Sequence, residues 1–245
     1  MDGAASEQGI CMIQFFNNVV SWLPELLAAT PLTLTLTLVA GICGLVFGTL
    51  LALARLSDSL VLSMPAGIFM FVMRGTPLLV QLYLIYYGLG QILPGTWVRH
   101  SFLWPYLRDG FSYAVIALSM NQAAYNGEVL RGAIRSVPKG QIESAVAIGM
   151  TSSQVLTRVR LPLAFRDCLP VLTSDIIILL KSTALVSTIT VLELMGTARM
   201  IQRESLQIYE PLIACGLVYF AVVIVLTNIM RPIESRLTRF RRGNT

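Results

Sequence analysis

The residues best suited to chemistry in this chain are charged and polar groups set inside apolar runs. Asp175 and Lys181 stand six residues apart in a stretch, Cys168 to Leu192, that otherwise reads as lipid-soluble. On a helix that spacing puts them about 9 Å apart along the axis and roughly 120° apart in direction, so they do not pair with each other. A charge at mid-membrane costs roughly 2.5–3.5 kcal/mol on insertion scales, so each needs a partner or water. Another apolar run carries "SMNQAAYNGE", which offers Asn121, Gln122, Tyr125 and Glu128 as groups to face them. Ser182 and Thr183 add hydroxyls near the level of Lys181. Two readings stay open. One is a structural polar network between helices. The other is a solute path, with Lys181 as a point charge for a carboxylate and Asp175 or Glu128 set against a cation.

Several other chemistries are excluded. His100 is the single histidine, which rules out a histidine-rich metal site or a Ser-His-Asp triad. Cys11, Cys43, Cys168 and Cys215 lack ligand spacing, and three of the four lie in apolar segments, so neither a metal nor a disulfide framework is expected. No GxxxxGK[ST] run occurs, so any ATP is hydrolysed by another chain. The chain is expected to hold no cofactor, and it lacks the clustered nucleophile and base of a membrane enzyme.

These groups must be positioned by membrane helices. The 245 residues are 55% hydrophobic and 13% charged, with a mean hydropathy of +0.71, against about 25% charged in an ordinary soluble domain. Five spans are expected, near 32–54, 62–90, 111–130, 168–192 and 211–230. "LTLTLTL" in the first alternates like a strand, but a lone strand in lipid leaves its backbone unpaired, so helix wins. Gly44 and Gly48 form a GxxxG pair suited to close packing. The run 62–90 would be too long for one upright helix, and is expected to tilt and to kink at Pro77. Arg74 then serves either as a helix-end anchor or as a functional group. Residues 1–30 form an N-terminal extracytoplasmic or interfacial segment, 31–232 the transmembrane domain and 233–245 a basic tail. "MDGAASEQG" carries acids and no base, unlike a secretory signal, and 12–27 suits an interfacial stretch with Phe15 and Trp22 toward lipid.

Orientation follows from the basic residues. With the N-terminus outside, the inner side holds Arg55, Arg131, Arg135, Lys139, Arg158, Arg160, Arg166 and Arg231, together with Arg236, Arg239, Arg241 and Arg242. The outer side holds Arg99, Arg108, Arg199 and Arg203. That imbalance favours N-out and C-in. The net charge of +5 is thereby a matter of orientation rather than of nucleic-acid binding.

Between the third and fourth spans, "ESAVAIGMTSSQVLTRVRLP" (143–162) is too polar for lipid and too patterned for a loop. Pro138 suits the first turn of a helix and Gly149 its left-handed end. Ile142, Ala145, Val146 and Gly149 share a face, Thr151 and Gln154 have capping-box spacing, and Pro162 is expected to end a second short helix. The result is a helical hairpin, 138–162, which either caps its own bundle or docks a partner.

This stretch resembles the EAA loop of permease subunits in bacterial ATP-binding-cassette (ABC) importers. Glu143, Ala145, Gly149, Leu161 and Pro162 stand at the loop's positions, while Ser144 and Val159 replace an alanine and an isoleucine. "RGTPLLVQLYLIYYGL", "GAIRSVPKGQIESA" and "KSTALVSTIT" are similar to the polar amino-acid branch serving histidine, arginine, ornithine and opines. The resemblance implies an all-α integral membrane protein with the type I ABC importer permease fold: five transmembrane helices and a cytoplasmic coupling-helix hairpin. It implies an inner-membrane subunit, not an enzyme, with the five EAA positions coupling it to the ATPase. The implied partners are two cytoplasmic ATPase subunits, a second permease chain (homologous or identical), an extracytoplasmic solute-binding protein and an amino-acid substrate. A secondary transporter or channel not driven by ATP is the competing reading; it would leave the hairpin without a task.

Overall fold

A computed structural model of the chain describes residues 14–92 and 109–238. Arg99, His100, Arg108, the tail beyond 238 and Cys11 lie outside the described residues. Among those described there are helices and no strands. Helix α1 (14–21) runs through a turn at Trp22 into α2 (Leu23–Leu56), and α3 (Leu60–Gly75) and α4 (Leu78–Tyr83) follow. A π-turn (Leu84–Gly88) leads to α5 (Leu89–Ile92). The rest is α6 (Gly110–Ser136), α7 (Lys139–Ala147), α8 (Ser152–Val155), α9 (Leu161–Ser182), α10 (Leu194–Ser205) and α11 (Tyr209–Thr238).

Among the described residues, three helical stretches are long and apolar enough to cross a membrane: Gln14–Leu56, Ser152–Ile189 and Tyr209–Arg236. The broken pair Leu60–Gly75 and Leu78–Gly88 makes a fourth. The fifth expected crossing is α6, 27 residues long. Its Asn121, Gln122, Asn126 and Glu128 make it poorer in apolar residues, and the reason is its place. Helix α6 packs against α2, α3, α4 and α9, so most of its polar groups face protein instead of lipid.

Lipid supplies no hydrophobic drive between helices, so contact depends on how closely backbones approach. Thr37, Ala40, Gly44, Gly48 and Ala52 form a buried stripe on α2, and at Gly44 and Gly48 it meets the Ala- and Gly-containing buried side of α6. A Cβ on Gly44 would stand 2.7 Å from Gln122 Cβ, and one on Gly48 would stand 2.8 Å from Asn126 Cβ. Only glycine fits at this crossing. Two threonines of "LTLTLTL" satisfy their hydroxyls within the helix, Thr35 donating to the carbonyl of Pro31 (2.8 Å) and Thr37 to that of Thr33 (2.9 Å), while the Thr33 hydroxyl accepts from the Leu194 amide (3.0 Å).

Several expectations are corrected. The run 62–90 does not merely kink; its two helices meet at 110°. Proline disfavours the α conformation at the residue before it, and Thr76 and Pro77 are both extended. Phe15 and Trp22 do not face lipid. Both pack on the cluster of Val19, Leu26, Leu194, Ala198, Ile201 and Val218, and the Trp22 indole donates to Gln207 Oε1 at 3.1 Å. The first long helix therefore starts well before residue 32. Pro138 caps α7 from outside its first turn. Pro162 does not end a helix either, for α8 continues into α9 through a π-turn at Leu156–Arg160. In that wider turn the Leu161 amide bonds to the Leu156 carbonyl. The extra residue in the turn moves the carbonyl that the Pro162 ring would strike, and the missing amide falls in the first turn of α9.

Candidate functional site

Two sites take shape, the hairpin and a cavity beside the break. In the hairpin, Gly149 holds φ +85°. Its amide bonds to the Val146 carbonyl (2.9 Å) and that of Met150 to the Ala145 carbonyl (3.1 Å), the paired bonds of a Schellman end. Thr151 and Gln154 then form both bonds of a capping box. The turn between α7 and α8 is thus fixed from both sides. Of the face shared by Ile142, Ala145, Val146 and Gly149, Ala145 is covered and Val146 is not, at 58% exposed; the neighbouring Ile148 is 75% exposed. Glu143, Gly149 and Pro162 are also exposed, and Leu161 is half-buried. The hairpin hides little of itself against its own bundle.

The cavity has a volume of about 340 Å³ and is lined by Asn121, Gln122 and Tyr125 of α6, by Asp175 and Ser182 of α9, and by Leu78 at the break. Asp175 Oδ2 is buried with no hydrogen-bond partner. The Ser182 hydroxyl donates to the Ile178 carbonyl at 2.9 Å. Gln122 donates to Asn126 Oδ1 at 3.2 Å.

Three of the predicted path residues stand elsewhere. Glu128 is bound by Arg131, whose Nε lies 3.1 Å from Oε2, and Arg74 approaches the same oxygen at 3.7 Å. Thr183 is buried and donates to the Leu180 carbonyl at 2.7 Å. Lys181 is exposed and does not line the cavity; it stands on α9 just beyond Ile178, which does. The reason is the helical period: Asp175, Ile178, Leu179 and Ser182 fall on one side of α9, and Lys181 lies roughly 120° around from Asp175.

Sequence reading missed two buried polar residues, one at the break beside the cavity and one at the head of α10. Gln81 is buried, and its amide donates to the carbonyls of Met73 (2.7 Å) and Thr76 (3.0 Å). Asn121 in turn donates to Gln81 Oε1 (3.0 Å). The break frees carbonyls at the end of α3, and these amides satisfy them. Asn121 is therefore committed to the scaffold as well as lining the cavity. The available signal was a glutamine four residues after a proline in an apolar run. Glu193 is the second, fully buried at the head of α10. It accepts from the Gly196 amide (2.8 Å) and the Tyr219 hydroxyl (2.9 Å), and Thr33 Oγ1 stands 3.5 Å away. The acid joins α2, α10 and α11. An acid three residues before Gly196, at the end of an apolar run, was its trace in the sequence.

Residues 44–239 match the family described as the binding-protein-dependent transport system inner membrane component. The chain belongs to that family. The permease is 42% identical over 219 residues to the octopine transport system permease protein OccM of Rhizobium radiobacter, covering 89% of this chain and 88% of that protein. It is 37% identical over 210 residues to the histidine/lysine/arginine/ornithine transport system permease protein HisM of Escherichia coli, covering 84% and 85%. A solved amino acid ABC transporter, crystallised with histidines, superposes with a TM-score of 0.76 at 33% identity, over 89% of the permease and 96% of that chain. The permease has the type I importer permease fold.

Proposed function

We propose that this permease works in a binding-protein-dependent ABC importer that moves a basic amino acid or opine across a bacterial inner membrane. The observation that carries the reading is the hairpin: a turn locked at both ends presents Val146 and Ile148 uncovered beside Glu143 and the open Gly149. A soluble surface patch of that kind fits a cytoplasmic partner. Glu143, Ala145, Gly149, Leu161 and Pro162 couple the permease to one ATPase subunit, and a second permease chain engages the other. Closure of the ATPase pair draws the hairpins together and tips the bundle outward-open. Hydrolysis belongs to the ATPase; the permease holds no cofactor and performs no catalysis. An extracytoplasmic binding protein delivers the solute, and the N-terminus lies outside with the C-terminus in the cytoplasm.

The relatives named for octopine and for histidine, lysine, arginine and ornithine support the substrate class. A basic amino acid brings a carboxylate, an ammonium and a further cation. Asp175, half-buried with its Oδ2 unpartnered in a cavity with Tyr125 and Ser182, suits the cation. Lys181 lies outside that cavity's lining, where the path between two permease chains brings a carboxylate to it. Glu128 and Thr183 act around the path, through Arg131 and Leu180.

The test is uptake of labelled arginine, histidine and leucine into proteoliposomes holding the permease, its partner permease, ATPase and binding protein. ATP-dependent uptake of a cationic solute in preference to leucine, unaffected by collapsing ion gradients, is the expected result. Uptake that follows an ion gradient and needs no ATPase would establish a secondary transporter instead.

A further inference from the structure

Beside the cavity, toward the end of the bundle that carries the hairpin, α2, α3 and α6 enclose a cleft of about 300 Å³. Four arginines line it, Arg55, Arg74, Arg131 and Arg135, with Glu128 as the single acid. The wall therefore has a formal excess of three positive charges. Glu128 already serves two of these cations, Arg131 through its side-chain nitrogens and Arg74 at 3.7 Å. Among the described residues, neither Arg55 nor Arg135 meets a carboxylate.

The arginines are held and not merely gathered. Arg55 Nη1 donates to Ser63 Oγ at 2.8 Å. Its Nε would lie 3.0 Å from a Cβ at Gly67, so the side chain is laid across α3 where glycine leaves room. Arg74 lies over the Tyr125 ring, 5.8 Å from the centroid. Preset guanidinium forks of this kind suit a tetrahedral oxyanion, which accepts paired N–H donors from several directions.

We propose that this cleft binds a phosphate group. Anionic lipid is the source the surroundings favour. Phe71, on the cleft wall, is 79% exposed, and Val61, Met64 and Ile68 continue the exposed apolar face of α3. A headgroup phosphate on the arginines would leave its acyl chains along that face. Basic pockets between membrane helices are suited to such headgroups. Soluble phosphate offers the same chemistry without the chains.

The two sources separate by experiment on the assembled transporter. After delipidation, phosphatidylglycerol or phosphatidylcholine is added back and retention is read by native mass spectrometry; melting is followed with and without millimolar inorganic phosphate. The variants are Arg55→Gln with Arg135→Gln, and Arg135→Gln alone, which alters an exposed last turn and leaves the packed core untouched. Arg203→Gln, at the start of the other connection, is the control. Selective retention of phosphatidylglycerol, weakened about tenfold per arginine removed and unchanged in the control, assigns the site to lipid. No lipid retention, but a phosphate-induced rise in melting temperature that both variants lose, keeps the site and assigns it to soluble phosphate. Equal retention of both lipids with no phosphate effect, or variants that behave as the parent does, overturns the proposal; the excess charge would then be neutralised by another subunit.

Discussion

Gln81 and Asp175 are both polar side chains inside a membrane domain, and the structure gives them opposite states. Gln81 spends its amide on the carbonyls of Met73 and Thr76 and its oxygen on Asn121. Gln81→Leu keeps the volume but removes the donor to both carbonyls and the acceptor of Asn121, at a cost of about 1–3 kcal/mol for a buried group left unpaired. A lower melting temperature of the detergent-purified transporter is expected; parent-like melting would mean that water caps the break equally well. Asp175 leaves Oδ2 unpaired in the cavity. Asp175→Asn removes the charge with little change of shape. It is expected to abolish cation uptake while binding protein still stimulates ATP hydrolysis. Lys181→Met, outside the cavity lining, tests the carboxylate contact in the same assay. Assembly failure in both would favour a structural network, and unchanged uptake in both would sink the path assignment.

Helices gain their meaning here from how they end. Pro77 breaks α3 from α4, Gly149 closes α7, and a π-turn carries α8 past Pro162. A Cβ at Gly149 would touch nothing within 4 Å in this chain, so its own bundle does not forbid a side chain there. What forbids it is the left-handed φ of +85°, which costs an L-residue roughly 1–2 kcal/mol, and any surface that docks on the open turn. Gly149→Asp is therefore expected to insert and fold normally while losing ATPase docking or uncoupling hydrolysis from transport. Co-purification of the ATPase with the variant reads this directly. Normal transport by that variant would refute the docking role.

At the scale of the whole chain, the arginines divide the bundle into two ends. Arg55, Arg131 and Arg135 lie on the same side as the hairpin, and Arg199 and Arg203 lie in α10. Positive charge is retained on the cytoplasmic side during insertion. Reporter fusions after Arg242 should thus report the cytoplasm, and fusions within 95–108 the outside. The reverse pattern at both places would put the hairpin out of reach of any ATPase. Buried Glu193 ties the far end together, since α2, α10 and α11 each supply it a donor or its own position.

Much of this protein was fixed by local rules. Long apolar runs must be helices in lipid, because no other lone segment satisfies its backbone. Gly149, Thr151 and Gln154 act within a few residues of one another, so their cap and turn were legible in order along the chain. So was the Gly44–Gly48 crossing, because the smallest side chains mark where another backbone passes. What stayed hidden depends on residues far apart in sequence. Nothing near Asn121 or Glu193 says that Gln81, Thr33 or Tyr219 will meet them. Asp175 and Lys181 look alike as isolated charges, and only the packing of α9 on α6 turns one into a cavity and the other out of it. Four arginines scattered from 55 to 135 become one cleft only when α2, α3 and α6 meet. Charge interaction depends on distance in space, and sequence separation does not supply it.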